Sequence, residues 1–594
     1  MKSGAKARAL VACCGLTGCF TLFSARLVHL QVTMNEEYTA KAAGKHVNKE
    51  PIYAKRGAIQ DIHGELLAQN EPIKTVIADG SLIENPTALA HLLAGPLEMS
   101  EAALIEKLGT QRESKADNKK VPSRYIVLKK KVPELAASEI IRQMSAQKLR
   151  GIHFEPDSER VYPNGEMLCH VVGYVNSDNS GVEGVERNLE QYLRGHDGFR
   201  YIERDRTGRE LVPYRGQERQ ARDGYNVQLT IDLGLQQIVE TELDTAMAQF
   251  KPKMVTCILM RPKTGEILAM ANRPAFNPNE IEKSSMDDRR NRAITDMVEP
   301  GSTFKIVTTA SALSLKLVNR DSMIFCENGA YMYGGSLLRD HRGYGELSVQ
   351  DVLVHSSNIG VAKLGLQMGE QRLYESVRKF GFGERTGINL PGEIPGVVHP
   401  PHHWSKISIT HVPMGQEVGA TPLQVVAAMA AIANGGTLMM PQIIHSITDA
   451  QGNVVQAFEK AEVRRVATPD AVDTVREALV QVVSKKGTAN LAHVSGYQVA
   501  GKTGTAQKAG PHGYEHGKYV VSFVGFMPAE APEFVALVML DEAQTKSDLN
   551  YGGLVAAPIF SRIGEKAARY LNLTPTPEEP EGNVITTQTE HFRD

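Results

Sequence analysis

The sequence predicts an α+β protein (α/β in the broad sense of mixed helices and strands). It has three parts: an N-terminal transmembrane helix, an elongated β-rich platform, and a C-terminal domain whose antiparallel sheet is flanked by helices. Three observations predict this. Residues 9–25 are almost wholly apolar, residues 151–222 are rich in turn formers, and strand patterns occur at 254–271 and 498–541 with helical patterns between them. Hairpin-connected strands covered by helices are typical of an α+β domain.

Length and charge limit the classes of function. The chain has 594 residues, of which 42% are hydrophobic and 23% charged, enough for several globular cores. Its formal net charge is −2, so no basic surface for nucleic acid is expected. The six cysteines show no CxxC spacing and predict neither a disulfide framework nor a metal site.

The apolar N-terminus predicts a membrane anchor. Lys2, Lys6 and Arg8 precede the apolar run, and cations beside a membrane span stay in the cytoplasm. We therefore expect residues 1–8 in the cytoplasm and a span over 9–32 that contacts the lipid bilayer. The prediction is a single-pass protein of the cytoplasmic (inner) membrane, with the bulk of the chain extracytoplasmic or periplasmic.

Three other interpretations of this run are weaker. A cleaved secretory signal needs a small-x-small end, but Phe23 stands where a small residue is required. Lipoprotein cleavage before Cys19 is disfavoured because the apolar run continues past that residue. A buried core helix is disfavoured by the position at the extreme N-terminus, next to cations.

Residues 36–222 predict the platform. Residues 36–50 are polar and predict a stalk, and 53–70 predicts a turn followed by a strand. Apolar stripes at helical spacing over 102–108 and 135–144 predict two helices. The turn-rich remainder is expected to add short strands and loops.

The C-terminal domain is predicted to span residues 224–573. Residues 574–594 have too few apolar side chains to fold and are predicted to be a disordered tail. A turn at 261–265 predicts a hairpin. The predicted strands are Val227–Ile231, Met254–Met260, Glu266–Ala271, Gln498–Gln507, Val520–Met527 and Phe534–Asp541, and the predicted helices are Leu235–Phe250 and a second one from Ser302 to about Lys316.

Ser302 and Lys305 form a Ser-x-x-Lys pair at the start of the second predicted helix. Residues three apart share a helix face, so the amine can reach the hydroxyl that it would deprotonate. Lysine has an ordinary pKa of about 10.4, roughly three units too high for a base at neutral pH. Burial and a second nearby cation would both lower that pKa.

The second cation is predicted to be Lys502, in a strand that carries Lys-Thr-Gly. Between the two motifs, Ser356 and Asn358 supply a hydroxyl and an amide two residues apart. Ser-x-x-Lys, Ser-x-Asn and Lys-Thr-Gly occur together in serine β-lactamases and penicillin-binding proteins.

Each motif also occurs elsewhere in the chain. The repeats are Ser3 with Lys6, Ser145 with Lys148, Lys263-Thr264-Gly265 and Ser177-Asp178-Asn179. Isolated matches of this length are weak evidence. In those proteins the motifs follow the order Ser-x-x-Lys, Ser-x-Asn, Lys-Thr-Gly. Only Ser302, Ser356 and Lys502 have this order, with a predicted helix at the first motif and a predicted strand at the last.

Further segments occur in a recognisable order. They are Arg56-Gly57-Ala58-Ile59-Gln60-Asp61, Tyr162-Pro163 with His170, Gly181-Val182-Glu183-Gly184-Val185-Glu186 with Leu193-Arg194-Gly195, Pro274-Ala275-Phe276-Asn277-Pro278-Asn279, Asn291-Arg292, Thr421-Pro422-Leu423-Gln424, Asn434-Gly435-Gly436 and Tyr551-Gly552-Gly553. With the three motifs, they make residues 56–573 resemble a class B penicillin-binding protein, a membrane-anchored peptidoglycan D,D-transpeptidase. The resemblance implies a platform of the dimerisation type and a C-terminal domain like that of serine β-lactamases and transpeptidases.

The resemblance implies acyl transfer without a metal or cofactor. Ser302 would attack the carbonyl of a D-Ala-D-Ala stem peptide and hold the acyl group as an ester, with Lys305 as the base. Ser356 would relay a proton to the leaving amine, and Asn358 would hold Lys305 and the substrate amide. Lys502 would hydrogen-bond Ser356 and lower the pKa of Lys305.

The Lys-Thr-Gly strand is implied to bind the substrate. The backbone N–H groups of Ser302 and Thr505 would form the oxyanion hole. The hydroxyls of Thr503 and Thr505, on either side of Gly504, would bind the substrate carboxylate, and the same groups would hold a β-lactam. An amine of a neighbouring strand would then take the acyl group, and residual D-Ala-D-Ala carboxypeptidase activity is compatible with this chemistry.

Within the family, the segments 522–528 and 175–184 resemble the septal, FtsI-type enzymes that act in cell division. The alternative is the elongation-type enzyme that maintains cell shape. The family resemblance implies a separate membrane-embedded glycan polymerase of the SEDS type (shape, elongation and division) as partner, together with division-complex proteins.

Other classes of function fit less well. A β-lactam sensor needs several membrane spans and a signalling domain, whereas one span is predicted. A β-lactamase needs a deacylating glutamate, and no such context is recognisable in the sequence. A non-catalytic scaffold would not need the three motifs. Two departures from the family pattern stand out: Ile62 replaces a usual arginine, and Glu417 occupies the last position of a Gly-Gln-Gly motif.

Overall fold

The computed structural model describes residues 3–35, 47–113, 120–204, 210–213, 218–485, 487–510, 513–545 and 550–575. Most of the predicted stalk and of the predicted tail lies outside these residues. The chain forms two compact units, which are Met1–Arg56 with Arg194–Gly224, and Gly57–Leu193 with Tyr225–Asp594.

Runs of strands and runs of helices follow one another along the described residues. The strands are β1 Val47–Ile52, β2 Ile59–Gln60, β3 Leu66–Ala78, β4 Gln111–Glu113, β5 Lys120–Pro122, β6 Ile126–Pro133, β7 Ile152–Val161, β8 Gly198–Arg204, β9 Glu210–Pro213, β10 Asn226–Leu229, β11 Met254–Met260, β12 Ile267–Arg273, β13 Met323–Phe325, β14 Ala330–Tyr333, β15 Ser336–Arg339, β16 Glu346–Ser348, β17 Val397–Val398, β18 Val418–Gly419, β19 Thr437–Met439, β20 Ile444–Thr448, β21 Val454–Ala457, β22 Glu462–Arg465, β23 Ala500–Gly510, β24 Gly513–Met527 and β25 Phe534–Asp541.

The α-helices are α1 Ser3–Val28, α2 Pro86–Leu97, α3 Glu101–Leu108, α4 Glu134–Gln147, α5 Cys169–Val172, α6 Gly184–Asn188, α7 Glu190–Leu193, α8 Leu233–Phe250, α9 Arg292–Thr295, α10 Lys305–Ser314, α11 Val349–Val354, α12 Asn358–Met368, α13 Glu370–Lys379, α14 Ser408–His411, α15 Pro422–Ala433, α16 Pro469–Val483 and α17 Gly552–Tyr570. Short 3-10 turns lie at Pro278–Lys283, Gly301–Phe304, Glu327–Gly329, Pro401–His403, Val412–Met414 and Asn490–Ala492.

The first unit contains the apolar N-terminal helix and a small sheet. Leu10–Thr33 is the one helical stretch among the described residues that is long and apolar enough to cross a membrane, and none of it is buried in the protein. Its 24 residues correspond to about 36 Å of α-helix, against ~30 Å of bilayer hydrocarbon. An unburied stretch among the described residues does not support the core-helix interpretation. The small sheet has the order β1-β8-β9.

The platform part of the second unit is a helix-covered sheet. β3 pairs antiparallel with both β6 and β7, and α2, α3 and α4 bury leucines and isoleucines against them. The predicted helices over 102–108 and 135–144 are α3 and α4, and α2 was not predicted. α2 begins where the side chain of Asn85 accepts a hydrogen bond from the backbone N–H of Ala88 at 3.0 Å.

The C-terminal part is built on a five-stranded antiparallel sheet with the order β12-β11-β25-β24-β23. Side chains alternate across it: Val255 and Cys257 belong to the core with α8 and α17, whereas Met254 and Ile258 belong to the core with α15. This alternation explains why the strands read as continuous apolar runs, since both faces are covered. The predicted antiparallel sheet flanked by helices is confirmed.

A seven-stranded sheet joins segments that lie far apart in the sequence. Its order is β21-β20-β10-β2-β3-β6, with β7 also paired to β3. β10 pairs in parallel with β2 and antiparallel with β20. The sheet therefore runs across the predicted boundary at 222–224, which stays a prediction.

Candidate active site

Ser302 lies in the 3-10 turn Gly301–Phe304, directly before α10. Gly301 has a φ of +54°, in the left-handed region that glycine enters without steric cost. A Cβ at Gly301 would lie 3.4 Å from the backbone oxygen of Thr505, so this turn contacts β23. Ser302 is half-buried, and its hydroxyl forms no hydrogen bond with another described residue. The hydroxyl is thus free to receive a reactant.

Lys305 is the first residue of α10 and is 1% exposed. Its Nζ lies 2.5 Å from the carbonyl oxygen and 3.1 Å from Oγ of Ser356, and 2.7 Å from Oδ1 of Asn358. Three oxygen neighbours fix the amine in place. Lys305 therefore connects the first motif directly to the second.

The second motif forms a tight turn between α11 and α12. Ser356 has a φ of +58°, an uncommon conformation for a residue with a side chain. Asn358 begins α12, and the hydroxyl of Ser357 accepts a hydrogen bond from the N–H of Gly360 at 2.9 Å. The turn thus presents Ser356 and Asn358 to the same amine.

Lys502 lies in β23 with none of its surface exposed. Its Nζ is 3.4 Å from the carbonyl oxygen and 3.5 Å from Oγ1 of Thr503. Among the described residues it makes no hydrogen bond to Ser356, so the expected Lys502–Ser356 hydrogen bond is absent from this arrangement. Thr505 Oγ1 accepts from the N–H of Gly552 at 3.2 Å.

Gly504 lets β23 approach the nucleophile turn. A Cβ at Gly504 would lie 2.4 Å from Oγ of Ser522, 3.0 Å from Cγ2 of Thr303 and 3.2 Å from the carbonyl oxygen of Pro300. Such contacts are too close for a real side chain, so only glycine allows the strand to sit here. The Lys-Thr-Gly strand and the Ser-x-x-Lys turn are therefore neighbours, as the sequence predicted.

The electrostatics of the two lysines favour a neutral amine. Burial, and then the positive charge of Lys502, lower the pKa of Lys305 well below its ordinary value, while Asp340 acts in the opposite direction. Burial lowers the pKa of Lys502 to about 7. These are the two causes expected from the sequence, desolvation and a like charge.

Glu299 and Tyr514 were not predicted, yet they lie at the edge of this site. Glu299, three residues before Ser302, accepts hydrogen bonds from the Tyr514 hydroxyl at 3.0 and 3.3 Å and from the N–H of Glu417 at 2.9 Å. Burial raises the pKa of Glu299. No short motif signals a contact between residues 215 positions apart.

Glu417 keeps the backbone shape of the glycine that it replaces. Its φ is +59°, and Gly415 beside it is so close to the nucleophile turn that a Cβ would lie 2.3 Å from the carbonyl oxygen of Gly301. The departure from Gly-Gln-Gly therefore leaves the loop in the left-handed conformation.

The repeated motifs lie in other elements. Ser145 is in α4, where its hydroxyl donates to the carbonyl of Ile141, and Ser3 begins α1. Lys263-Thr264-Gly265 forms the turn between β11 and β12, and 177–179 lies in a surface loop. Among the described occurrences of the three motifs, those that begin at Ser302, Ser356 and Lys502 are the ones that come together in one site. A half-buried hydroxyl three residues from a buried amine of lowered pKa supplies the two groups that nucleophilic acyl transfer needs.

Comparison with protein families gives two matches. Residues 255–565 match the penicillin-binding protein transpeptidase domain, and residues 51–229 match the penicillin-binding protein dimerisation domain. The two matches follow each other in the chain.

Individual relatives agree with these matches. The chain is 34% identical to stage V sporulation protein D of Bacillus subtilis over 564 residues, 94% of this chain and 84% of that protein. It is 32% identical to peptidoglycan D,D-transpeptidase FtsI of Escherichia coli over 574 residues, 94% of this chain and 92% of that protein. The crystal structure of penicillin-binding protein 2X from Streptococcus thermophilus superposes with a TM-score of 0.74 at 25% identity, over 88% of this chain and 80% of that one.

Proposed function

The chain belongs to the penicillin-binding protein transpeptidases and is a peptidoglycan D,D-transpeptidase, and on that premise we propose that Ser302 is the nucleophile that carries the acyl group. The observation that supports this most is the buried Lys305 amine, three residues from Ser302 and held at 2.7 Å by Asn358. Its lowered pKa lets it exist as a free base.

In the proposed acylation, Lys305 takes the proton of the Ser302 hydroxyl as Oγ attacks the carbonyl carbon of the penultimate D-Ala. The C–N bond then breaks, and the terminal D-Ala leaves after its nitrogen receives a proton through Ser356. Ser356 Oγ is suited to this relay because it lies 3.1 Å from the Lys305 amine. Asn358 is proposed to hold the amine and the substrate amide.

Substrate binding is assigned to β23. The backbone N–H groups of Ser302 and Thr505 are proposed to bind the developing oxyanion, which is supported by the contact of the Gly301 turn with the backbone of Thr505. The hydroxyls of Thr503 and Thr505, separated by Gly504, would bind the substrate carboxylate beside the Lys502 cation. A β-lactam would occupy the same groups, and the acyl group passes to an amine of a second stem peptide.

Fluorescent penicillin tests the acyl-enzyme. Membranes that contain the full chain are incubated with the label and separated on a denaturing gel. Wild type and Ser145→Ala, a change in the unrelated Ser-x-x-Lys repeat, should be labelled, and Ser302→Ala should not. An unlabelled wild type, or a labelled Ser302→Ala, would contradict the proposal.

We infer that the cross-linking serves septal wall synthesis in cell division. The identity of 32% with FtsI over 94% of the chain supports this role. Depletion should give filaments, which wild type rescues and Ser302→Ala does not. Rounded cells would instead favour the elongation-type role, and rescue by Ser302→Ala would favour a non-catalytic scaffold.

The proposed topology is a single membrane span with the N-terminus in the cytoplasm. The unburied helix Leu10–Thr33 and the preceding cations support it. Reporter fusions test it: one active only outside the cytoplasm should work when fused after residue 573.

We further propose that the span and the platform contact a SEDS-type glycan polymerase and division-complex proteins. Cross-linking from the span should recover the polymerase.

A further inference from the structure

Asp340 follows β15 and faces the turn that carries Ser356 and Asn358. Its Oδ1 accepts hydrogen bonds from the backbone N–H of Asn358 at 2.5 Å and of Ile359 at 3.1 Å. Its Oδ2 accepts from the hydroxyl of Ser357 at 2.6 Å. One carboxylate therefore satisfies three donors of the turn, and it does so at the N-terminus of the eleven-residue helix α12, where negative charge is favourable.

The backbone next to Asp340 also holds the side-chain amide of Asn358. Asn358 Nδ2 donates to the carbonyl of Arg339 at 2.9 Å, while its Oδ1 faces the Lys305 amine at 2.7 Å. This pair of contacts fixes which end of the amide points at the lysine. Residues 339 and 340 thus determine both the position and the orientation of Asn358.

The turn needs such support because its conformation is unfavourable. Ser356 has a φ of +58°, a left-handed conformation that is sterically unfavourable for a residue with a side chain. A strained residue persists when its surroundings hold it. The bonds of Asp340 lie one, two and three residues beyond Ser356, where they oppose relaxation of the turn away from Lys305.

Asp340 is also the anionic neighbour of a site with two buried lysines. Its charge raises the pKa of Lys305, against burial and Lys502. The titratable groups influenced by Asp340 from the surrounding elements are Lys305, His341, Tyr344 and Cys326, and Lys502 faces the same amine from β23. Removing the charge without removing the acceptor should therefore change the protonation of Lys305 and leave the turn in place.

We propose that Asp340 is a positioning residue for acylation, which holds the Ser356–Asn358 turn against Lys305 and partly offsets the positive charge of that lysine. It would touch no substrate atom and act only through the turn and the charge balance. The proposal rests on the function proposed for Ser302, Lys305 and Ser356.

Two substitutions separate the two contributions. Asp340→Ala removes the acceptor and the charge, and Asp340→Asn keeps an oxygen for the two backbone N–H groups. The matched control is Asp232→Asn. Asp232, the N-cap residue of α8, likewise accepts from two N–H groups at a helix N-terminus, those of Gly234 and Leu235 at 2.9 and 3.1 Å.

The measurement is the second-order rate of labelling of the full chain by fluorescent penicillin between pH 5 and 9, with the melting temperature of each variant. Asp340→Ala should slow labelling by about tenfold or more, consistent with the loss of charge-assisted hydrogen bonds at a helix N-terminus. Asp340→Asn should stay within about threefold of wild type at its optimum, a loss below that of a full cap. The acid limb of the Asp340→Asn profile, meaning the pH range over which the labelling rate rises from acid pH, should move to lower pH. Without the charge of Asp340, the pKa of Lys305 falls further. Asp232→Asn should leave rate and limb unchanged.

The inference would be overturned if Asp340→Ala had the labelling rate and pH profile of the wild type. It would also be overturned if the acid limb of Asp340→Asn did not move. Equal slowing by Asp232→Asn would also overturn it, since the effect would then come from general loss of stability. These results differ from failure of the proposed function, in which wild type itself would not be labelled at Ser302.

Discussion

The Lys305 amine lies 2.7 Å from Oδ1 of Asn358, 53 residues further along the chain. The base of the first motif is therefore held by the second motif, and the Ser302 hydroxyl stays unpaired among the described residues. Catalytic hydrogen bonds often tighten only when substrate binds. The lysine is thus fixed before the reaction, whereas the serine is left to move onto the carbonyl.

Lys305→Ala should slow penicillin labelling by about 10² to 10⁴-fold, the usual contribution of a general base. Labelling of wild type should rise with pH, because only the neutral amine accepts a proton. Its acid limb should lie below the ordinary lysine range, since burial and Lys502 lower the pKa of Lys305. Lys148→Ala, in the repeated Ser-x-x-Lys motif at the C-terminal end of α4, is the matched control. A normal rate in Lys305→Ala would exclude it as the base.

Lys502→Met should raise stability while it impairs acylation. The pKa of Lys502 is about 7 in the folded protein and near 10.5 ordinarily, so the unfolded chain binds this proton more tightly. The lysine therefore destabilises the fold fully below pH 7, by up to about 5 kcal/mol. The destabilisation fades as pH rises towards 10.5.

Thermal unfolding of the full chain in detergent tests this. Lys502→Met should melt above wild type at pH 6, and the difference should shrink by pH 9. The acid limb of labelling should move to higher pH, because Lys305 loses the cation that lowers its pKa. Lys263 is an exposed lysine in the other Lys-Thr-Gly segment. Lys263→Met should change neither the melting temperature nor the acid limb of labelling. A lower melting temperature at pH 6 would argue against a costly buried charge.

Arg160→Met should destabilise the platform. Nε of Arg160 lies 2.7 Å from Oε1 of Glu186, and their side chains are 1% and 0% exposed. Removing one partner of a buried ion pair commonly costs about 3 to 5 kcal/mol. Arg142→Met, whose partner Glu139 is one helical turn away on the surface, should barely change the melting temperature. Similar melting of the two variants would contradict this account.

Glu417→Gly should be tolerated, and Glu417→Val should not. At a φ of +59° glycine relieves strain of about 1 kcal/mol, whereas a β-branched residue adds to it. The hydrogen bond to Glu299 comes from the backbone N–H and survives both changes. We expect an unchanged or slightly higher melting temperature for Gly and a lower one for Val. Equal melting of both variants would show that this backbone is unstrained.

Local patterns predicted the core of the fold better than its edges. Met254–Met260 and Phe534–Asp541 were predicted at their observed bounds because every residue from 254 to 260 and from 534 to 540 is buried. The start of α8 was placed two residues late, since it depends on the Asp232 side chain that caps Gly234 and Leu235.

The motifs predicted residues that the structure brings together, such as Lys305, Ser356 and Asn358, and the catalytic roles of these residues stay predictions. Residue type and spacing were enough to predict the order of Ser302, Ser356 and Lys502. They were also enough to predict that the pKa of Lys305 is lowered. Asp340 and Tyr514 could not be found in this way, because their importance depends on contacts made only after folding. The absent Lys502–Ser356 hydrogen bond was a detail of side-chain geometry that spacing does not determine.

The position of β10 between β2 and β20 has a practical consequence for making soluble fragments. A fragment cut at residue 224 would contain β10 and β20 but not Ile59–Gln60, and one side of β10 would be an open edge. Open sheet edges recruit other chains and promote aggregation. A soluble version for crystallisation or inhibitor screening should therefore begin upstream of β2, so that the edge stays covered by its own chain.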